Sequence, residues 1–468
     1  MSPAARGSVV VAVVLMVGIG TTTLTAQPQS LSQPLTLAAA IEYAAAHYPT
    51  VQAALERVAA SAADVDVARA QYLPRLDGVW QVNRATVNNV TGLLFPQAVV
   101  PSISGPPFAA TSGQSVWGSA MGALLSWEPI DLGQRRAAVR EAEAAVVRAR
   151  AGQSLTRLEV QHAVGLAYLA VVAAERGLGA ADADVERRGV LARTTRALVD
   201  AQLRPGADRS RADAEFAAAT TAAVRARLRL EIARAGLARL LGVESLPALD
   251  ATRVLAAVPP APAAAPPAVH PLATVRQAVV DEARARDAVL STSWRPRVYL
   301  QSSVFARGTG AGEDGRLDGG AEGLGVERAN WAMGFQIVLP NLFDAAAVRA
   351  RRAAAGATIR AEIARYDDGV REIAAARRVA AAALAAAKDI AAQTPVQLEA
   401  ARLSESQARA RYDAGLAPLT EVADAQHLLA AADAQHAEAV IDAWRALLAQ
   451  AAADGDLAPL LALLRSTP

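Results

Sequence analysis

The sequence contains no cysteine, which removes disulfides, thiolate catalysis and cysteine-based zinc sites together. It also lacks the lipid-attachment cysteine that some exported bacterial proteins carry at the mature N-terminus. Aromatic residues make up only 4% of the chain, too few for the core of an ordinary globular protein of this length. Neither sign of charge dominates: 47 basic residues face 45 acidic ones, and the signs alternate along the chain. A nucleic-acid partner would leave a basic stripe, so none is expected. No Ser-His-Asp set, nucleophile elbow or paired-carboxylate spacing is present, which leaves an enzyme, including a secreted hydrolase, without a site. The glycine-rich stretch from Gly308 to Gly325 is not followed by the Lys-Ser/Thr of a phosphate loop and reads as a loop between strands. His427 and His436 lie nine residues apart without a third ligand, so neither a metal nor another cofactor is expected.

Long apolar runs are also scarce. Val9 to Ile19 is one, behind Arg6 and ahead of the small residues Thr21 to Ala26. It is too short for the ~20 residues that span a bilayer as a helix, and it has the layout of an export signal cut after Ala26. Beyond it no run reaches the length of a membrane helix. Val164 to Ala174 is bounded by Gln161-His162 and Glu175-Arg176, so the mature chain is expected to have no transmembrane helix.

What the chain has is alanine, set among Arg, Asp, Glu and Gln. These residues favour long helices packed closely through small side chains. It also has an internal repeat. Tyr48-Pro49 precedes Tyr72-Leu73-Pro74-Arg75-Leu76, and His270-Pro271 precedes Trp294-Arg295-Pro296-Arg297-Val298 at the same 25-residue proline spacing. Trp127-Glu128-Pro129-Ile130-Asp131-Leu132 matches Leu339-Pro340-Asn341-Leu342-Phe343-Asp344 at an offset of 211, as Ala214-Glu215 matches Ala425-Gln426. Val258 to Pro267 reads as an extended joint. The chain divides into a signal peptide (1–26), a first repeat (27–242), a Pro/Ala-rich linker (243–270), a second repeat (271–455) and a tail (456–468).

Each repeat predicts one layout. A helix, 36–71 or 271–293, ends before the proline anchor, because the residue preceding a proline leaves the helical region. Two strands follow, then a helix over 131–203 or 344–414, then a shorter one over 208–241 or 418–452. A helix of ~70 residues is on the order of 100 Å long, which implies a coiled-coil rod or tube. Ile359, Ile363, Tyr366, Val370, Ile373, Arg377, Ala380, Leu384 and Ala387 form a heptad seam interrupted by Arg377. Pro395 predicts a kink, or a restart with the proline in the first turn.

The strands alternate. Trp331, Met333, Phe335, Ile337 and Leu339 share one face, opposite Ala332, Gly334, Gln336 and Val338. Trp117, Met121, Ala123, Leu125 and Trp127 likewise oppose Gly118, Ala120, Gly122 and Ser126, while Val298 to Arg307 and Leu76 to Val87 alternate less regularly. Such alternation fits a soluble sheet or a membrane barrel of ~9–11-residue strands. A barrel needs at least ~8 strands and an open edge is not tolerated in lipid, so four strands predict several chains sharing one barrel.

This duplicated order resembles the TolC-type outer-membrane efflux proteins. The most specific local match is Arg411-Tyr412-Asp413-Ala414-Gly415-Leu416 followed by Glu421-Val422, Asp424-Ala425 and Gln426, similar to the family's turn at the periplasmic tip. Leu342-Phe343-Asp344 also fits the family's strand-to-helix signal, with Ala345 and Ala346 in place of its usual glycines. The resemblance implies a mainly α fold with β, in which a duplicated long-helix tunnel joins a 12-stranded barrel shared by a homotrimer. It implies a non-catalytic export duct in the cell outer membrane, serving a tripartite efflux or type I secretion system. Its partners would be a periplasmic adaptor, an inner-membrane pump and outer-membrane lipid. Trp331, Met333, Phe335 and Ile337 would face lipid. Tyr412, Gly415, Leu416, Arg204 and Gly206 would form the tip turns and adaptor contact, and Glu421 and Asp424 an acidic ring at the periplasmic entrance. In the first repeat the offset sets Ser210 and Asp213 against those two acids. The alternative reading is a periplasmic coiled-coil adaptor or scaffold with a soluble sheet.

Overall fold

The computed structural model describes residues 34–86, 114–260, 269–310, 316–317, 320–339 and 344–465. The predicted signal peptide, most of the linker's Pro/Ala-rich part and the anchor residues 340–343 lie outside them. In chain order the elements are β1 (Leu35–Thr36), α1 (Leu37–His47), α2 (Pro49–Ala70), β2 (Arg75–Thr86), β3 (Ser115–Ile130), α3 (Gln134–Asp200) and α4 (Gly206–Leu241). Then follow β4 (Leu249–Asp250), α5 (Thr252–Ala256), α6 (Pro271–Thr292), β5 (Arg297–Thr309), a 3-10 turn (Glu322–Leu324), β6 (Arg328–Val338), α7 (Ala345–Asp413), α8 (Leu419–Asp454) and α9 (Ala458–Arg465).

The duplication is visible in the element lengths. α2 and α6 each have 22 residues with a proline in the first turn, and α4 and α8 each have 36. The long helices hold 67 and 69 residues. Their ends correct the sequence-based register of the repeat. Pro205 and Pro418 cap α4 and α8, and Gly242 and Gly455 end them, so past the long helices the offset is 213 rather than 211. On that register Asp208 stands where Glu421 stands and Arg211 where Asp424 stands, in place of Ser210 and Asp213.

Two prolines lie within stretches that the sequence assigns to helix, and they have different effects. The helix predicted over 36–71 breaks at Tyr48, which is extended ahead of Pro49 at φ −65° and ψ 131°. Pro395, in contrast, sits inside α7 without ending it. A proline here deprives the Ala391 carbonyl of its helical donor. The Thr394 hydroxyl donates to that carbonyl at 3.4 Å, and the buried Ala391, Thr394, Leu398 and Ala401 hold the segment in place. The Arg377 interruption also has a partner: its guanidinium donates to the last carbonyls of α8, Ala453 and Asp454, each at 3.2 Å, where a cation is favoured.

The main apolar cluster lies midway along the helices. It joins Ile41 of α1, Val164, Tyr168, Leu169, Val171 and Val172 of α3, Leu237 of α4, and Ile441 and Leu448 of α8. Part of α3 is apolar and long enough to cross a membrane by composition, and 33% of that stretch is buried within the protein; Val164, Tyr168, Leu169, Val171 and Val172 of the same helix lie in the cluster. Tyr168 ties the short parallel pair β1 and β4 to it, donating to the carbonyls of Leu35 and Asp250 at 3.0 and 2.8 Å.

At one end of the helices β2, β3, β5 and β6 form an antiparallel sheet in the order β2-β3-β5-β6. The two hairpins pair Arg75 with Ser126 and Arg297 with Val338, and β3 joins β5 with Ser126 opposite Gln301. A bulge between Trp127 and Ile130 gives β3 one extra residue before it leads into α3.

Candidate functional site

The sheet has two unlike faces. The register places Trp331, Val304, Ala123 and Gly78 in one row, Phe335, Leu300 and Trp127 in another, and Met121 beside Trp80. Trp331, Met333, Phe335 and Ile337 are 79%, 64%, 75% and 65% exposed, and Trp80 78%. A single copy thus leaves bare an apolar face across four strands. The opposite face is mostly polar or small, with Leu124, Tyr299 and Phe305 set among these residues: Arg297 donates to the buried Glu128 at 2.8 Å, and Gln301 to Gln336 at 3.2 Å. Gly122 lies there against Phe305, where a Cβ would come within 2.5 Å of the Phe305 Cβ.

The junction between sheet and helices is built on Asp131. Its carboxylate accepts the backbone N–H groups of Gly133, Arg135 and Arg136 at 3.0, 3.1 and 3.2 Å, and the Tyr72 hydroxyl at 3.1 Å. Partial burial pushes the Asp131 carboxyl up, but these bonds together hold it below the usual carboxylate range. Arg135 stacks 4.5 Å over the Tyr72 ring, and Trp127 donates to the Tyr72 carbonyl at 3.0 Å.

At the far end the two hairpins make similar turns. Leu203 N–H bonds to the Leu198 carbonyl and Leu416 N–H to the Arg411 carbonyl, each at 2.8 Å. Gln202 and Gly415 bond back to Val199 and Tyr412, and both are left-handed, at φ 59° and 74°. Gln202 therefore occupies the position that glycine holds in the second repeat. Gly206, predicted to shape the first turn, is instead the first residue of α4.

The tip residues singled out in the sequence come together across the repeats. Arg204 donates to the Tyr412 carbonyl at 2.7 Å and sets its guanidinium 4.4 Å over the Tyr412 ring. Tyr412 is buried, and its hydroxyl has no hydrogen-bond partner among the described residues. Glu421 pairs with Arg411 at 2.9 Å, whereas Asp424 is exposed with no ion pair among the described residues. Leu416 projects from the turn, strongly exposed.

Further along, a charge network that sequence reasoning missed links three helices. Arg188 of α3, 4% exposed, donates to Asp184 at 2.8 Å and to Glu215 of α4 at 2.6 Å. His427 of α8 lies 3.1 Å from Glu215 and 3.3 Å from Arg188. His436, nine residues on, meets Thr394 instead at 3.1 Å, so the two histidines have separate partners. No spacing in the sequence signals a residue network assembled from three helices.

The family profile described as outer membrane efflux protein matches residues 40–243 and 272–456, one span in each repeat and well over half of the chain.

The chain belongs to the outer membrane efflux protein family.

Solved structures agree in fold. CusC superposes with a TM-score of 0.72 at 15% identity, covering 90% of this chain and 92% of that one. The Campylobacter jejuni CmeC outer membrane channel gives 0.70 at 16% identity, over 90% and 85%. The outer membrane protein VceC of Vibrio cholerae gives 0.69 at 18% identity, over 90% and 96%. No curated protein matches the sequence. This outer membrane efflux protein is thus a channel component of an export system, located in the outer membrane. The adaptor alternative is not favoured.

Proposed function

We propose that three copies of this chain join their sheets into one 12-stranded barrel, continued by the helices as a tunnel across the periplasm. The observation that carries this reading is the four-stranded sheet, apolar on one face and polar on the other, with β2 and β6 at its edges. In lipid each unpaired backbone group costs several kcal/mol, so both edges need partners. Trp331, Met333, Phe335 and Ile337 then face lipid, and the Arg297, Glu128, Gln301 and Gln336 side faces water.

The duct carries no catalysis of its own. It conducts passively from a periplasmic adaptor and an inner-membrane pump, which meet it at the two tip turns. Glu421 and Asp424 ring the entrance, so three chains bring six carboxylates to a narrow pore and favour cations. The ties from Arg204 to Tyr412 and from Arg411 to Glu421 hold the tip narrow. Asp208 at the equivalent first-repeat position adds acidic charge, while Arg211 opposes it.

The test is reconstitution of the purified protein in planar bilayers. Discrete cation-selective openings are expected, together with heat-modifiable migration of material extracted from outer membranes. A protein that leaves the cell envelope in soluble form and conducts nothing overturns the reading.

A further inference from the structure

We infer that the inner face of the barrel carries an anion-binding site near its outer mouth, built on Arg307 with Phe305 as its support, and that organic anions occupy it during export. The inference rests on the shared barrel proposed above, because closure of the sheet is what turns this face into a lumen.

The argument starts from the charges on that face. Among the described side chains of the strands, three arginines lie on it, and two of them are neutralised. Arg75 pairs with Asp77 at 2.9 Å, and Arg297 with the buried Glu128 at 2.8 Å. Both stand where β2 and β5 begin, next to the helices. Arg307 stands at the other end of β5, in one row with Ala120 of β3 and Gln81 of β2. It is exposed, with no acidic partner among the described residues. The ladder pairs it with Arg328 of β6, so the row gains a second positive residue and no negative one. Like charges at opposed positions weaken a strand pair, and a bound anion offsets that cost.

Phe305 gives the Arg307 guanidinium a fixed place. Its partner on β3 is Gly122, and a Cβ there would collide with Phe305. The glycine thus leaves the room in which Phe305 sits, half-buried against the sheet. The guanidinium of Arg307 lies 5.1 Å from the centre of that ring. Stacking on an aromatic orders the guanidinium and leaves its N–H edge free, a planar fork that fits carboxylate, sulfate or phosphate groups.

The same strand shows what such a fork takes. Arg297 lies 5.2 Å from the Tyr299 ring, and its Nε and Nη2 both donate to Glu128, at 3.3 and 2.8 Å. Arg307 repeats the arginine-over-ring arrangement without the carboxylate. An anionic group on a passing solute fills for Arg307 the part that Glu128 fills for Arg297. Three chains bring three such sites into one lumen, at the far end of the duct from Glu421 and Asp424. The duct is then acidic where it opens to the periplasm and basic where it opens outward.

The test uses the purified trimer and pyrenetetrasulfonate, a fluorescent polyanion bulky enough to impede a pore. Added on the loop side of planar bilayers it is expected to reduce the current, and its fluorescence anisotropy is expected to rise on binding the trimer in detergent. Arg307→Gln is expected to weaken block and binding at least tenfold. Arg84→Gln is the control: Arg84 pairs with Trp117 at the same end of the sheet but on the lipid-facing side, and its loss is expected to change neither. Block and binding that survive Arg307→Gln, or that fall as much with Arg84→Gln, overturn the site, while a trimer that conducts without the probe leaves the shared barrel standing. Absence of trimer and conductance in the unmodified protein overturns the barrel itself. If Arg307→Gln prevents insertion, Phe305→Leu decides: it keeps the charge, removes the ring and is expected to weaken binding a few-fold, and unchanged affinity overturns the site.

Discussion

Arg204 of the first hairpin turn and Tyr412 of the second are joined twice, by a 2.7 Å hydrogen bond to the Tyr412 carbonyl and by a guanidinium set 4.4 Å over its ring. A cation over an aromatic face contributes about 0.5–2 kcal/mol, and a charged hydrogen bond about 1.5–3 kcal/mol. Arg204→Ala is therefore expected to loosen the tip and raise single-channel conductance in planar bilayers. Arg204→Lys keeps the charge but not the planar stacking, and is expected to fall between the two. Equal conductance in all three proteins would remove the tie from the gating account.

The acidic entrance predicts a second change. Glu421→Ala with Asp424→Ala is expected to raise conductance, reduce selectivity for cations and weaken block by multivalent cations. Asp424→Ala alone removes a carboxylate with no ion-pair partner among the described residues, whereas Glu421→Ala also frees Arg411. Each substitution raises the local charge by one, so the two are expected to shift the reversal potential toward anions by similar amounts. Unchanged reversal potentials and cation block in the double variant would refute the ring.

The two turns differ at one backbone position. Gln202 is left-handed at φ 59° where Gly415 fills the equivalent place, and a residue with a Cβ is strained there by roughly 1 kcal/mol. Gln202→Gly is expected to raise the melting temperature slightly, and Gly415→Ala to lower it. Differential scanning calorimetry of both variants checks the pair, and a melting temperature lowered by Gln202→Gly would show that the side chain outweighs the strain.

Tyr168 provides a pH dependence. Burial, with added repulsion from Asp250 and Glu175, pushes its hydroxyl well above the ordinary value of 10.0. The folded state thus holds a proton that the unfolded chain releases. The contribution is fully present below pH ~10 and is lost as pH rises from there toward the folded value. Tyr168→Phe removes the one hydroxyl proton shared between the two carbonyls, costs about 1–3 kcal/mol at neutral pH and flattens the alkaline loss. Chemical denaturation at pH 8 and pH 11 distinguishes the two proteins, and an alkaline loss of equal size in both would assign it elsewhere.

Much of this architecture was legible because its signals are local. Pro74, Pro296, Gly242 and Gly455 stop elements through backbone geometry alone, and the alternation about Trp331 and Phe335 marks one strand face without knowledge of its neighbours. Pro49 has the same local effect and breaks the first helix, which a reading fixed on the later proline anchor overlooked. The fate of Pro395 was not local. Whether a helix survives an internal proline depends on what supplies the lost donor and what packs around it, here Thr394 and the buried face against α8. The tip register failed because matching Ala-Glu to Ala-Gln in alanine-rich helices carries little information. The caps Pro205 and Pro418 fix that register by ending the turns. The Arg188 network was invisible because its members come from positions 184, 188, 215 and 427, brought together only by packing.

The number of chains sharing the barrel tests the central claim most directly. Native mass spectrometry of the protein purified from outer membranes in detergent is expected to give three times the chain's mass after removal of any leader, with no stable lower species. A single-chain mass in a preparation that still conducts across a planar bilayer would contradict it.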